Sequence, residues 1–139
     1  MKYYSKNARD TQNIAKNLAK TLSGGEVILL NGDLGAGKTT FTKGLVKGLG
    51  GKKTVVSPTF TIMHSYDDTR IPVYHFDMYR IADEDELYEL GLEEYLYENG
   101  VAVIEWNKFE HFDGEVIEIN ITPTSENERI FDVEKKENK

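Results

Sequence analysis

Apolar residues fall along this chain in two rhythms, and each change of rhythm marks an element. Between Asn7 and Leu22 the residues Ile14, Ala15, Leu18, Ala19 and Leu22 share one helical stripe, which predicts an amphipathic helix stopped by Gly24-Gly25. Val27-Ile28-Leu29-Leu30 is a continuous apolar run, as a strand covered on both faces requires. Thr40 to Leu49 returns to helical spacing and ends at Gly50-Gly51; Gly44 and Gly48 are poor helix formers, so close packing against a sheet is expected there. Ile62 to Tyr66 and Val73 to Asp77, joined by the turn-forming Asp67-Asp68-Thr69-Arg70, predict a hairpin.

The second half repeats the logic. Asp83 to Asn99 predicts a helix with Leu87, Leu90 and Tyr95 among its apolar positions, interrupted by Gly91 and ended by Gly100. Val101-Ala102-Val103-Ile104 predicts another doubly covered strand. Glu115 to Ile121 alternates, with Ile117, Ile119 and Ile121 on one side, and Arg129 to Val133 reads as a last short strand. Residues 134–139 read as a charged tail. The expected result is one α/β domain over residues 1–133, in three layers, its central sheet mostly parallel with an antiparallel hairpin at one edge. A ligand would sit at the carboxyl ends of the parallel strands.

Composition narrows the classes. A chain of 139 residues buries one core and leaves no room for a second substrate domain. It has no Cys, which excludes disulfides and thiolate metal sites. The start lacks the apolar run of a secretory signal, and the longest aliphatic runs are far too short to span a bilayer, so a cytoplasmic protein with no membrane role is expected. The formal charge of −7, with basic residues scattered, argues against unaided binding to nucleic acid, which needs clustered Lys and Arg to displace counterions. Asp83-Glu84-Asp85-Glu86 reads as a solvated helix start, where acids favour the dipole.

Candidate chemistry concentrates after the first apolar strand. Gly32-Asp33-Leu34-Gly35-Ala36-Gly37-Lys38-Thr39 has the G-x-x-x-x-G-K-[ST] spacing of a phosphate-binding loop, between a strand and a helix as such a loop requires. Glycines let the backbone curl so that successive N–H groups face anionic oxygens, and the helix start adds its unpaired N–H groups and positive dipole end. Lys38 would bridge the terminal phosphates and the Thr39 hydroxyl would ligate Mg²⁺. The fold expected is therefore of the P-loop NTPase type. Hydrolysis further needs a carboxylate near the ion and a group that orients water. Asp77 and Glu105 each close an apolar strand: Asp77 suits the ion or its bound water, while Glu105 suits the attacking water or the ion itself. Ser57 and Thr59, around Pro58, stand where switch segments occur and could reach the ion or γ-phosphate. Trp106, the single Trp, packs either in the core or beside the nucleotide. His75 alternates with buried neighbours and reads as structural. Asn107-Lys108-Phe109-Glu110 approximates the guanine-reading N-K-x-D, but its Glu is one methylene too long, so ATP is expected rather than GTP.

Taken together, GDLGAGKTT at Gly32–Thr40, SPTFT at Ser57–Thr61, YHFDMYRI at Tyr74–Ile81, ELYELGLEEY at Glu86–Tyr95 and VAVIEW at Val101–Trp106 resemble, in order and spacing, the TsaE family, small bacterial ATPases of tRNA threonylcarbamoyladenosine synthesis. The resemblance implies Mg²⁺ and ATP, slow hydrolysis by the chain alone, and action with two larger proteins, TsaD and TsaB. Those partners place a threonylcarbamoyl group on the adenosine next to the anticodon of ANN-decoding tRNAs, the transfer itself being done by TsaD; tRNA is met only through the complex. By position it implies that Lys38 and Thr39 hold phosphate and Mg²⁺, that Thr40 holds the α-phosphate, and that Asp77 is the Walker-B-like acid. It also implies that Glu105 is the catalytic or ion-contacting acid, that Trp106 lies close to the nucleotide, and that Thr11 and Arg129 flank the adenine. A stand-alone P-loop kinase and a non-hydrolysing nucleotide-binding regulator remain the alternatives, although no Arg-rich lid of the kinase kind is evident.

Overall fold

The apolar runs at Val27 and Val101 become neighbouring strands, and the remaining elements are arranged around that pair. The structure is a computed structural model that describes residues 1–33, 37–97 and 99–138. In chain order the elements are β1 (Lys2–Ser5), α1 (Ala8–Ala19), β2 (Val27–Asn31), α2 (Lys38–Gly48), β3 (Met63–Tyr66), β4 (Val73–Asp77), α3 (Glu84–Glu89), a 3₁₀ turn (Leu92–Tyr95), β5 (Val101–Glu105), β6 (Gly114–Pro123) and β7 (Arg129–Asn138). The described strands form one seven-stranded sheet in the order β1-β7-β6-β2-β5-β4-β3. The inner run β6-β2-β5-β4 is parallel throughout. The hairpin β3–β4 is antiparallel as expected, and the opposite edge is antiparallel too, because β7 turns back on β6 and β1 pairs with β7.

Both faces of β2 and β5 are covered, which is why their sequences do not alternate. Ile28, Leu30, Val101, Val103, Ile117 and Ile119 point to one side and pack under α1 and α2 against Ala15, Ala19, Phe41 and Leu45. Val27, Leu29, Ala102, Ile104 and Val116 point to the other and meet Phe76, Leu87, Leu92, Leu96, Phe109 and Phe112. Removing each large aliphatic or aromatic side chain from water contributes about 1.5–3 kcal/mol. The two helical layers and the sheet between them make the three-layer arrangement of a P-loop fold.

Four elements differ from the sequence-based expectation. The helix expected over Asp83–Asn99 is confined to α3: the Asp83 side chain caps it by accepting from Glu86 N, and Gly91 then takes a left-handed φ of 72°, leaving Leu90 exposed. β1 was not expected, since Lys2-Tyr3-Tyr4-Ser5 carries little apolar signal; it is held by backbone pairing with β7, from Lys2 opposite Asp132 to Ser5 opposite Arg129. β7 does not stop at Val133. It runs to Asn138 because β6 is long enough to pair every residue as far as Gly114, so residues 134–138 are strand and not tail. Finally, α1 ends at Ala19, and the Arg70 guanidinium donates to the carbonyls of Ala19 and Leu22 at its carboxyl end.

Gly44 and Gly48 are explained by a helix and not by the sheet. A Cβ on Gly44 would lie 2.5 Å from Gln12 O and 2.6 Å from Gln12 Cα, and one on Gly48 would lie 2.8 Å from Ala19 Cβ. α1 therefore rests directly on the backbone of α2. Gly44→Ala should lower stability by about 1–3 kcal/mol through overpacking, after offsetting a helix-propensity gain of about 1 kcal/mol. Urea unfolding followed by circular dichroism checks this; an unchanged or raised midpoint would show that the helices do not touch there.

Candidate functional site

Parallel register builds the site. Leu30 pairs with Glu105, and Glu105 with Asp77, so one row crosses β2, β5 and β4 at their carboxyl ends. Period-two alternation then puts Asp77, His75 and Glu105 on the face that also carries Val73, Val103 and Leu30, the face under α2. The phosphate loop leaves β2 at this edge. Gly32 and Asp33 are described; Leu34, Gly35 and Ala36 lie outside the described residues. Gly37 re-enters with a φ of 108°, a left-handed backbone that glycine takes without steric cost. Its added Cβ would meet nothing within 4 Å among the described residues, so the backbone angle is what selects glycine there.

Lys38 begins α2 and is only 6% exposed. Its ammonium donates to Gly32 O at 2.8 Å, lies 3.9 Å from Glu105 Oε1, and stands 3.9 Å from the centroid of the Trp106 ring. Burial holds Lys38 below the usual lysine pKa, while Glu105, Asp77 and Asp33 pull the other way. A desolvated cation at a helix start, bonded to a neutral carbonyl and 3.9 Å from the Glu105 carboxylate, is well placed to exchange that carbonyl for an anion.

A cleft of about 560 Å³ opens beside it, lined by Gly37, Lys38, Thr39, Thr40, Ser57, Thr59, Asp77, Tyr79, Glu105 and Trp106. The structure thus brings together the Gly37–Thr39 end of the loop, both strand-end carboxylates, the hydroxyl residues Ser57 and Thr59 and the Trp. Tyr79 is the lining residue that sequence reasoning missed. Its ring meets Trp106 edge-on at 5.2 Å, and its backbone N donates to Asp77 Oδ1. The available signal was its place two residues after Asp77, on the loop leaving the same strand end.

Thr11 and Arg129 are brought together, but not into the cleft. Thr11 Oγ1 is 2.7 Å from Ser5 Oγ, Ser5 pairs with Arg129, and the Arg129 guanidinium donates to carbonyls of Ser125, Glu126 and Glu128. The guanine-like Asn107 is occupied locally: its side chain accepts from Phe109 N and donates to Phe109 O, both at 2.9 Å. His75 is fully buried and its Nε2 lies 2.5 Å from Glu105 Oε2.

Two non-glycine residues beside the cleft hold left-handed backbones, Trp106 with φ 56° and Ile62 with φ 70°. Ile62 closes the turn after Pro58 by donating to Pro58 O, and its own carbonyl accepts from Asp77 N. Such conformations cost about 1–3 kcal/mol each and persist where surrounding structure over-determines them. As metal donors, the Thr39 hydroxyl and the carboxylates of Asp77 and Glu105 offer only hard oxygen. Among the described residues no three His, Cys, Asp or Glu side chains gather into a cage. That donor set fits Mg²⁺, which takes one or two carboxylates and completes its shell with phosphate oxygens and water.

Comparison with known proteins shows the family. The family described as "Threonylcarbamoyl adenosine biosynthesis protein TsaE" matches residues 5–131. The chain belongs to the TsaE family. The tRNA threonylcarbamoyladenosine biosynthesis protein TsaE of Bacillus subtilis is 45% identical over 131 residues, covering 93% of this chain and 82% of that one. Its counterpart in Rickettsia prowazekii is 41% identical over 130 residues, covering 91% and 90%. The crystal structure of YdiB from the same Bacillus aligns with a TM-score of 0.79 at 40% identity, over 94% of this chain and 82% of that chain. The TsaE match continues past Trp106, where the quoted motifs end, through β6 and into β7.

The buried ammonium beside Trp106 has an optical consequence. Lys38 should lose its proton below the ordinary lysine value of 10.5, so Trp106 emission should change in an alkaline titration at lower pH than an ordinary lysine would allow. Lys38→Met should lack that step while keeping the changes due to tyrosines. Superimposable curves for parent and variant would place the ammonium away from the indole.

Proposed function

We propose that this chain is a Mg²⁺-dependent ATPase that supports turnover of the complex modifying the adenosine next to the anticodon of ANN-decoding tRNAs, with TsaD and TsaB as its protein partners. The observation that carries the reading is the convergence of Lys38, Thr39, Asp77 and Glu105 on one cleft at the end of a parallel sheet. TsaE membership supplies the tRNA modification.

The chain's own groups divide the work of hydrolysis. Lys38 exchanges Gly32 O for phosphate oxygens as ATP enters, and the first N–H groups of α2 receive the same anion. Thr40 reaches the α-phosphate, and Trp106 with Tyr79 walls the cleft. Thr39, with Asp77 and Glu105 beside it, would hold Mg²⁺, which when bound would supply positive charge to the phosphates. Glu105 orients the water that attacks the γ-phosphorus, from which ADP departs. Ser57 and Thr59 line the same cleft and follow the state of the γ-phosphate, as switch segments do.

Partner docking is expected at the mouth. Phe60 is 84% exposed with Arg80 over its ring, and Val56 and Tyr79 are exposed nearby. An apolar rim that adjoins nucleotide-sensing hydroxyls lets ATP occupancy control contact with TsaD and TsaB. The route to tRNA runs through them, since a net charge of −7 without a basic stripe disfavours direct contact. Among the described residues no helix is long and apolar enough to cross a membrane, and the reading places the work in the cytoplasm.

Steady phosphate release from ATP without an acceptor tests the reading; none would leave a kinase or a regulator. Lys38→Ala should weaken binding of a non-hydrolysable ATP analogue about ten- to a hundredfold, from a charge-assisted contact of roughly 1.5–3 kcal/mol. Glu105→Ala should spare binding in calorimetry and lose turnover, more selectively than Asp77→Ala. A Glu105→Ala protein that hydrolyses ATP like the parent removes Glu105 from its role. For RNA, gel shifts at about 0.15 M salt should show no submicromolar complex of tRNA with this chain alone, and a shift once TsaD and TsaB are added. Tight binding by the chain alone would assign it a direct RNA contact.

A further inference from the structure

His75 sits in the middle of β4 with no exposed surface, a place where an apolar residue packs at no polar cost. Among the described residues its ring makes one hydrogen bond, from Nε2 to Glu105 Oε2 at 2.5 Å, while Nδ1 is buried without a hydrogen-bond partner. A carboxylate only accepts, so Nε2 carries the hydrogen. A histidine kept for packing alone would satisfy both nitrogens or be replaced by a hydrophobe. Here the polar ring serves one bond, and that bond ends on Glu105.

The consequence is geometric. With Oε2 tied to His75, the Glu105 carboxylate presents Oε1 toward Lys38, 3.9 Å away, at the cleft. The register makes this pairing rigid: His75 lies opposite Val103 and Asp77 opposite Glu105, so the imidazole comes from the adjacent strand, one pleat deeper than the carboxylate. We propose that His75 is the positioning residue of the site, holding one oxygen of Glu105 so that the other faces the reacting phosphate and water. This rests on the hydrolytic reading above for its effect on rate, although the hydrogen bond itself does not. Groups that orient a reacting or ligating side chain typically affect function by about ten- to a hundredfold.

Two variants and one spectrum test it. In long-range ¹H–¹⁵N spectra of the nucleotide-free protein, His75 should show the Nε2–H tautomer, and Glu105→Ala should shift its ring signals. His75→Leu should lower kcat for ATP about ten- to a hundredfold, with KM and analogue affinity changed less than about threefold. His75→Gln, which keeps an N–H near Nε2, should recover most of the rate. An Nδ1–H tautomer overturns the proposal whatever the kinetics. So does His75→Leu turning over like the parent, or His75→Gln falling as far as His75→Leu with an equal loss of melting temperature. If the parent itself releases no phosphate, the hydrolytic reading fails separately, and the tautomer and its response to Glu105→Ala still decide whether His75 holds Glu105.

Discussion

In-register parallel pairing of β2, β5 and β4 sets Leu30, Glu105 and Asp77 side by side, and through them the geometry of the candidate site. Because parallel strands end on the same edge, two carboxylates and the start of the phosphate loop reach it together. Because side chains alternate, the same pairing turns Asp77, His75 and Glu105 toward α2, where Lys38 stands. A slip of one residue in β4 would turn Asp77 to the opposite face and leave Lys38 facing Glu105 alone. The cores on both sides of the sheet fix that register, since the same slip would take Val73 out of one core and Phe76 out of the other.

The site itself is not arranged for stability. Lys38 is held out of water against a backbone carbonyl, Asp77 and Glu105 are nearly buried, His75 leaves a nitrogen without a partner among the described residues, and Trp106 and Ile62 adopt left-handed backbones. Each costs free energy that a plain core would not spend. The offset comes from the doubly covered strands and from the close seat of α1 on α2. Function and folding thus draw on different parts of the molecule: the apolar layers supply stability, and the carboxyl edge uses some of it to keep charged groups dry and aimed.

Much of this was legible in the sequence because the signals were physical and local. Two unbroken apolar runs required burial on both faces, and acids at the ends of strands stood where a P-loop domain needs them. The spacing of Gly32–Thr39 called for a strand before it and a helix after it, and β2 and α2 stand there. What escaped lacked such a signal. β1 and the far half of β7 are polar segments whose strand character comes from a partner backbone, which composition does not encode. The helix expected over Asp83–Asn99 is shorter than its apolar spacing implies, because the left-handed backbone of Gly91 ends the helical path. Gly44 and Gly48 announced close packing without naming the partner, which is α1. His75 read as structural because a histidine amid buried neighbours usually is; only cross-strand register reveals that it abuts Glu105.

The central claim is that this cleft is a nucleotide site in which Lys38 exchanges a backbone carbonyl for phosphate. The most direct measurement is a crystal structure of the chain with Mg²⁺ and a non-hydrolysable ATP analogue. The account predicts the γ-phosphate within hydrogen-bond reach of Lys38 Nζ, now withdrawn from Gly32 O. It also predicts the ion at about 2.1 Å from Thr39 Oγ1, with Asp77 on it or on its water. Triphosphate bound away from α2, or Lys38 still on Gly32 O with nucleotide present, would contradict it.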